Sequence, residues 1–178
     1  MRTIALVGSL AGLLVVTGAY ADPPPRLQQR EQSFSIHLNG PVAEVTPLFG
    51  PVGEMEWAPS WKPRFIHPAD GHQQEGAVFT APSADGRERL WLLTTYDPEK
   101  GRVDYVVVVP GFTANQIKIR VHPDTDKGST ATITYRHSAL GPEGNAEVAK
   151  LDTHWAEQQK SHWETAINAV LEKRNRHE

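Results

Sequence analysis

The stretch that decides the fold is NAEVAKLDTHWAEQQKSHWETAINAVLEKR, residues 145–174. It contains neither proline nor glycine, and its apolar residues recur at the spacing of an α-helix. The residues that define this apolar stripe are Val148, Leu151, Trp155, Ala166 and Ala169. We therefore predict one long C-terminal helix that covers the rest of the domain with this stripe.

Two polar residues interrupt the predicted stripe at its centre. Each residue turns an α-helix by about 100°, and this step places Gln158 and His162 within the stripe. A buried polar group needs a partner or water, because leaving it unsatisfied costs about 1–3 kcal/mol. The simplest place for both side chains is a cavity beneath the helix, so the pattern predicts a domain that holds a ligand.

The residues before this helix predict a β-sheet. The first strand, Ser33–Leu38, alternates apolar and polar side chains, and two short helical pieces follow at 42–49 and 51–57. Further strands are predicted at Pro63–His67, Gly76–Ala81, Arg87–Tyr96, Arg102–Val109, Ala114–His122 and Ser129–Ser138. Short turns between consecutive strands favour antiparallel neighbours. We predict an α+β domain in which a seven-stranded antiparallel sheet curls around the C-terminal helix.

Composition narrows the range of partners and cofactors. The chain has 178 residues, no cysteine and a formal net charge of −3, which gives no reason to expect a nucleic acid as partner. It carries no phosphate-binding glycine loop or dinucleotide fingerprint, so no cofactor is predicted. His67, His72 and Glu75 lie close together in sequence, but their spacing fits no zinc signature, and no metal site is predicted.

The N-terminus has the pattern of a secretory signal. Arg2 precedes an apolar run from Ile4 to Val16, and Ala19-Tyr20-Ala21 forms a small-x-small cleavage site. We expect cleavage after Ala21, a periplasmic or secreted product, and no stable membrane insertion once the signal is removed. Residues 22–32 are predicted to be a flexible lead-in, and residues 33–176 a single domain.

The order of these elements over residues 33–172 resembles the START-like superfamily, also called the SRPBCC or polyketide cyclase-like group. Two segments carry the resemblance locally: VGEMEWAPSW at 52–61, where members have a tryptophan-containing helical turn, and EGAVF at 75–79, where they enter the third strand. The resemblance implies a helix-grip fold with a deep pocket between the sheet and the C-terminal helix. Members of the superfamily bind lipids, sterols, polyketides or other apolar molecules, and some catalyse cyclisation.

A set of aromatic and polar residues is predicted to contact the ligand. Trp57 and Trp61 would stack on its apolar body, with Glu54 near the mouth of the pocket. The full set of ligand-binding residues is Trp57, Trp61, Tyr96, Tyr135, His137, Gln158 and His162. We predict an exported protein that holds a hydrophobic, lipid- or polyketide-like molecule, with no assigned catalytic residue.

Two alternatives to simple binding stay open. The first is a cyclase- or dehydratase-type enzyme in which His162 or His137 acts as the acid–base group, because the pKa of histidine lies near working pH. The second is an interaction protein whose interior is full and whose polar residues satisfy one another.

Overall fold

One curled antiparallel sheet and one long helix make up the architecture. The structure is a computed structural model and describes residues 26–83, 85–124 and 128–176, so the predicted signal peptide lies outside the described residues. The seven strands pair in the order β1-β7-β6-β5-β4-β3-β2, and every neighbouring pair is antiparallel. The predicted helix-grip architecture is confirmed.

The elements follow the predicted order along the chain. The strands are β1 (Gln29–Leu38), β2 (Arg64–His67), β3 (Val78–Pro82), β4 (Glu88–Asp97), β5 (Arg102–Val109), β6 (Thr113–Pro123) and β7 (Ser129–Ala139). The helices are α1 (Val42–Val45), α2 (Gly144–Ala149) and α3 (Thr153–Asn175), and two 3₁₀ helices cover Thr46–Phe49 and Gly53–Glu56.

The first strand begins earlier than its side-chain pattern indicates. Residues 29–32 belong to β1 and pair with β7, from Gln29 opposite Ser138 onwards, although the sequence favoured a flexible lead-in here. Main-chain hydrogen bonds across the strand pair do not depend on side-chain polarity. An ion pair of 2.6 Å between Glu31 and Arg136 adds a cross-strand contact.

The predicted single helix is divided in two. A break at residues 150–152 separates α2 from α3, and Asp152 caps the new helix by accepting a hydrogen bond of 2.8 Å from the Trp155 backbone N–H. Such a cap satisfies one of the free N–H groups in the first helical turn. Because of this break, the side chains of α3 do not continue the angular spacing of α2. Val148 and Leu151 therefore do not indicate which face of α3 is buried.

The inward face of α3 includes Trp155 and Ala166 of the predicted stripe, but its fully buried residues were not predicted. Ala156, Ile167 and Leu171 are buried and Trp163 is partly buried, whereas Ala169 is exposed. These residues pack against the inner faces of the strands, to which Phe34, Ile36, Leu38, Ile117, Ile119, Ile133 and Tyr135 contribute. The predicted alternation of β1 is confirmed, and buried and exposed residues also alternate along most of β6 and β7.

The two 3₁₀ helices pack tightly against each other at one end of the sheet. Gly53 lies so close to the first 3₁₀ helix that a β-carbon there would meet the Pro47 carbonyl oxygen at 2.0 Å. Only glycine permits this approach without displacement of the backbone. The packing directs the segment that contains Glu54 and Trp57 towards the interior.

The outer face of the sheet carries an apolar area on β4 and β5. Val106 and Val108 are half-buried there, and Leu90 and Leu92 are exposed beside them. This agrees with the apolar character of both faces of β5 in the sequence. Within the described residues, no helix has the length and apolar character needed to cross a membrane.

Candidate functional site: an aromatic cavity with a buried carboxyl group

A small cavity lies between the sheet, the 3₁₀ segment and α3. Its volume is about 30 Å³, and its lining residues are Phe49, Glu54, Trp57, Trp91, Tyr105, Ile117, Ile119, Tyr135 and Trp163. A water molecule needs about 10–15 Å³ measured in this way, whereas pockets for drug-sized ligands are about 300–1,000 Å³. The deep pocket implied by the resemblance is therefore absent from these described residues, and the interior is mostly filled by aromatic rings.

The rings around the cavity form a connected cluster. The centres of Trp57 and Trp163 are 5.0 Å apart, and those of Trp91 and Tyr105 are 5.6 Å apart at nearly right angles. Tyr135 lies 6.3 Å from Trp163 and extends the cluster across β7. Such spacings are typical of favourable aromatic packing, which holds the lining in place.

Two of these rings connect the sheet to the 3₁₀ segment through their polar ends. Trp57 Nε1–H donates a hydrogen bond of 2.8 Å to the Leu48 carbonyl oxygen, and the Tyr105 hydroxyl donates one of 2.8 Å to the Phe49 carbonyl oxygen. These bonds satisfy carbonyl groups of the first 3₁₀ helix. The polar atoms of Trp57 and Tyr105 are thus already satisfied within the protein.

Glu54 has no such partner. It extends from the second 3₁₀ helix, and its residue surface is partly exposed although its carboxyl group faces the cavity. No described residue forms a hydrogen bond or ion pair with this carboxyl group. Burial raises the pKa of Glu54 from its usual 4.5 to about 8, because the ionised form is poorly solvated there. Glu54 is therefore mainly protonated at pH 7.

Two further polar groups on the cavity wall lack partners. Trp91 Nε1 is buried and donates to no described residue. The Tyr135 hydroxyl likewise has no hydrogen-bond partner in the described part of the chain, and burial, with the nearby Glu54 carboxyl group, raises the pKa of Tyr135 well above its usual value. The cavity is thus lined by three partnerless polar groups of different chemistry: a carboxyl group, a phenol and an indole N–H.

Five of the seven predicted binding residues lie on the inner side of the fold, but only two line the cavity. Trp57 and Tyr135 do so. Trp61 packs its ring 5.0 Å from Trp91 and donates to the Pro51 carbonyl oxygen, and the Tyr96 hydroxyl accepts a hydrogen bond of 2.6 Å from Gln73. The binding roles of Trp61 and Tyr96 stay predictions.

His137 lies beyond the cavity, close to α2 and the start of α3. Its ring centre is 6.3 Å from that of Trp155, and its Nδ1 is buried without a partner among the described residues. Asn115 lies directly opposite on β6 and has an equally partnerless Oδ1. Burial lowers the pKa of His137 to about 4. The charge of Glu147 raises this pKa by a smaller amount and the charge of Arg89 lowers it, so the imidazole is neutral at pH 7.

The prediction that Gln158 and His162 face the interior is wrong. Both residues are exposed, and Gln158 Nε2 lies 3.1 Å from His154 Nε2 on the outer side of α3. The error follows from the break at residues 150–152, because a stripe counted through Leu151 does not keep its direction in the new helix. A larger depression of about 600 Å³ also lies on this outer side, but it is open to solvent.

The cavity contains residues that the sequence analysis did not select. Trp91, Tyr105 and Trp163 were not among the predicted binding residues, and Glu54 was placed only near a pocket mouth. One available signal was Asp152-Thr153, a typical helix start, which separates Val148 and Leu151 from the face of the helix that follows. No sequence pattern indicates that the Glu54 carboxyl group is buried.

Comparison with known proteins shows the fold but not a sequence family. No protein-family model matches the chain, and no curated protein is similar to it in sequence. Among solved structures, norcoclaurine synthase from Thalictrum flavum, in complex with dopamine and hydroxybenzaldehyde, is 12% identical, with a TM-score of 0.61, covering 92% of this chain and 98% of that chain.

Two further structures have the same architecture. Ara h 8.0201 is 15% identical, with a TM-score of 0.58, covering 82% of this chain and 99% of that chain. A putative uncharacterized protein from Rhizobium leguminosarum is 13% identical, with a TM-score of 0.57, covering 83% of this chain and 97% of that chain. These likenesses establish the helix-grip fold of this chain.

Proposed function

We propose that this chain is an exported protein that binds a compact, largely apolar small molecule in the aromatic cavity. The observation that carries the proposal is the set of partnerless polar groups on the residues that line the cavity: the Glu54 carboxyl group, the Tyr135 hydroxyl and the Trp91 indole N–H. Each such group costs about 1–3 kcal/mol when it is buried unsatisfied. A bound molecule, or water in its absence, would satisfy them and offset this cost.

The size of the cavity restricts the ligand. A volume of about 30 Å³ holds one or two water molecules in the closed form. A larger molecule must displace rings, and the contact between Trp57 and Trp163 joins two different elements that would have to separate. This favours a ligand of single-ring size over the lipid- or polyketide-like molecule expected from the sequence.

The fold is compatible with ligands of this size. Norcoclaurine synthase, which has the same fold, is described in complex with two single-ring molecules, dopamine and hydroxybenzaldehyde. Aromatic walls suit flat molecules, because stacked or edge-on rings gain about 0.5–1.5 kcal/mol beyond the burial of their surface. Export is proposed from residues 1–21 alone, and N-terminal sequencing of the secreted product should begin at Asp22.

The binding test uses the five tryptophans as reporters. We expect benzaldehyde or phenol to shift the indole N–H resonances of Trp57, Trp91 and Trp163 in a ¹⁵N-labelled sample, each assigned by its Trp→Phe variant. Trp155, which is absent from the cavity wall, is the internal reference. Shifts confined to residues on the outer face of α3, or no shift with any single-ring probe, would contradict the proposal.

Acid–base catalysis on the bound molecule is a second candidate function, and Glu54 favours it. A group with a pKa of about 8 can donate and accept a proton near neutral pH, which is what general acid–base catalysis requires. The histidines considered from the sequence do not fit, because His162 is exposed and His137 is not on the cavity wall. Any turnover of a single-ring carbonyl compound should be lost in Glu54→Gln and kept in His137→Gln; the reverse would exclude Glu54.

A further inference from the structure

The charge environment of Glu54 is unusual for a buried carboxyl group. Buried acids in proteins are commonly paired with a cation or with several hydrogen-bond donors. Among the described residues, no lysine, arginine or histidine lines the cavity. Burial is the cause of the raised pKa of Glu54, with no contribution from any described charge. Arg174 of α3 contacts the same 3₁₀ segment, but it pairs with Glu56 at 2.6 Å.

The aromatic rings around Glu54 are a second group of cation-binding elements beside its carboxylate. Trp57, Trp91 and Trp163, with Tyr105 and Tyr135, line the same small space. The face of an aromatic ring carries partial negative charge and attracts a cation within about 6 Å, most strongly for tryptophan. An anionic ligand would find no basic group here, whereas a cation would meet both the carboxylate and the rings.

We infer that the ligand of this cavity carries an amine, bound as its ammonium ion against the Glu54 carboxylate and the surrounding rings. This inference rests on the proposed binding function and specifies the chemistry of its ligand. Binding R–NH₃⁺ to the protonated acid releases one proton to solvent and leaves a carboxylate–ammonium pair. A cavity of about 30 Å³ has room for the ammonium head group itself, and ring displacement is needed only for the rest of the molecule.

Release of a proton on binding distinguishes an ammonium ligand from a neutral one. The titratable groups that face Glu54 are Tyr105 on β5 and Tyr135 on β7, and burial raises the pKa of each above its usual value of 10. Both phenols therefore stay neutral at pH 7, and Glu54 is the group that exchanges a proton. Because the pKa of Glu54 is about 8, the group is mostly protonated at pH 7 and must lose its proton before it can pair with the ammonium ion. This requirement lowers the apparent affinity for the ammonium ion at pH 7 by about tenfold, and the effect disappears near pH 9.

The test compares benzylamine with benzyl alcohol, which has the same shape without the charge. Isothermal titration calorimetry at pH 7 in phosphate and in Tris measures the protons released from the difference in heat. We expect at least tenfold tighter binding of the amine and release of nearly one proton by the wild-type protein. Glu54→Gln should bind both probes with similar affinity and release no proton, and Glu44→Gln, which alters an exposed carboxyl group on α1, should behave as wild type.

The outcomes separate the inference from the proposed function. Equal or tighter binding of benzyl alcohol, with the indole shifts of the cavity tryptophans retained, would overturn the ammonium site and leave small-molecule binding intact. Amine binding without proton release would also overturn it, and this measurement on the wild-type protein does not depend on the folding of any variant. Failure of both probes to bind would overturn the inference together with the function on which it rests.

Discussion

Replacing Glu54 by glutamine should change how the stability of this protein depends on pH. In the folded protein the pKa of Glu54 is about 8, while in the unfolded chain it takes its usual value of 4.5. Between these values the folded state keeps the proton and the unfolded chain releases it, so raising the pH favours unfolding. The loss of unfolding free energy caused by Glu54 is absent below pH 4.5, grows through neutral pH and reaches its full value above pH 8.

The magnitude follows from the size of the pKa shift. One proton bound by the folded state alone lowers the free energy of unfolding by about 1.4 kcal/mol per pH unit. The wild-type protein should therefore lose about 2–3 kcal/mol relative to Glu54→Gln between pH 5 and pH 7. Water admitted to the cavity would solvate the carboxylate and make the loss smaller. Whole domains are stable by only about 5–15 kcal/mol, so this difference is readily measured.

Urea denaturation at pH 5, 7 and 9 tests this directly. The quantity to compare is the difference in unfolding free energy between wild type and variant at each pH, since other titrating groups then cancel. Glu44→Gln removes an exposed carboxyl group from α1 and should give a curve parallel to wild type. If Glu54→Gln is also parallel to wild type across this range, the carboxyl group of Glu54 is solvated rather than buried.

Three further substitutions test the burial and backbone of the fold. The pKa of His137 is lowered from 6.5 to about 4, so the wild-type protein should lose up to about 3 kcal/mol of unfolding free energy as the pH falls through this range. His137→Gln should remove this loss, and His122→Gln, at an exposed position, should retain it. Urea midpoints at pH 4 and 7 measure the difference. Ile167→Ala should cost about 2–5 kcal/mol in urea denaturation and His162→Ala less than about 0.5 kcal/mol, and equal costs would contradict the assigned face of α3. Gly101→Ala should lower the melting temperature, because φ is +65° and the added carbon meets a carbonyl oxygen of β6 at 2.2 Å; an unchanged value would contradict this geometry.

The strands were predictable from the sequence because the pattern that marks a strand lies within a few consecutive residues. Alternation of apolar and polar residues with a period of two marks a half-buried strand, and Arg102–Val109 is found with the predicted bounds. The start of β1 was not predictable in the same way. Residues 29–32 are polar and reveal no buried face, and they are strand residues because the exposed edge of β7 pairs with them.

The face of the long helix required the structure. A helix of unbroken phase predicted Gln158 and His162 inside, whereas the break at residues 150–152 turned both outward. Residues before a break and residues after it no longer follow one 100° step, so Val148 and Leu151 do not fix the inward side of α3. The presence of a helix followed from the apolar spacing and from the absence of proline and glycine. Which side of it faces the sheet depended on where the helix begins, and element boundaries are not fixed by periodicity.

The amino-acid sequence alone determined the number and order of strands, the antiparallel layering and the presence of a covering helix, since each depends on periodicity and turn chemistry within a few residues. Tertiary structure decided which groups meet in the interior. Glu54, Trp91, Tyr135 and Trp163 come from four separate elements, and their shared cavity exists only after those elements have packed. Burial, and with it the raised pKa of Glu54, is a property of that packing, because desolvation depends on neighbours that are distant along the chain.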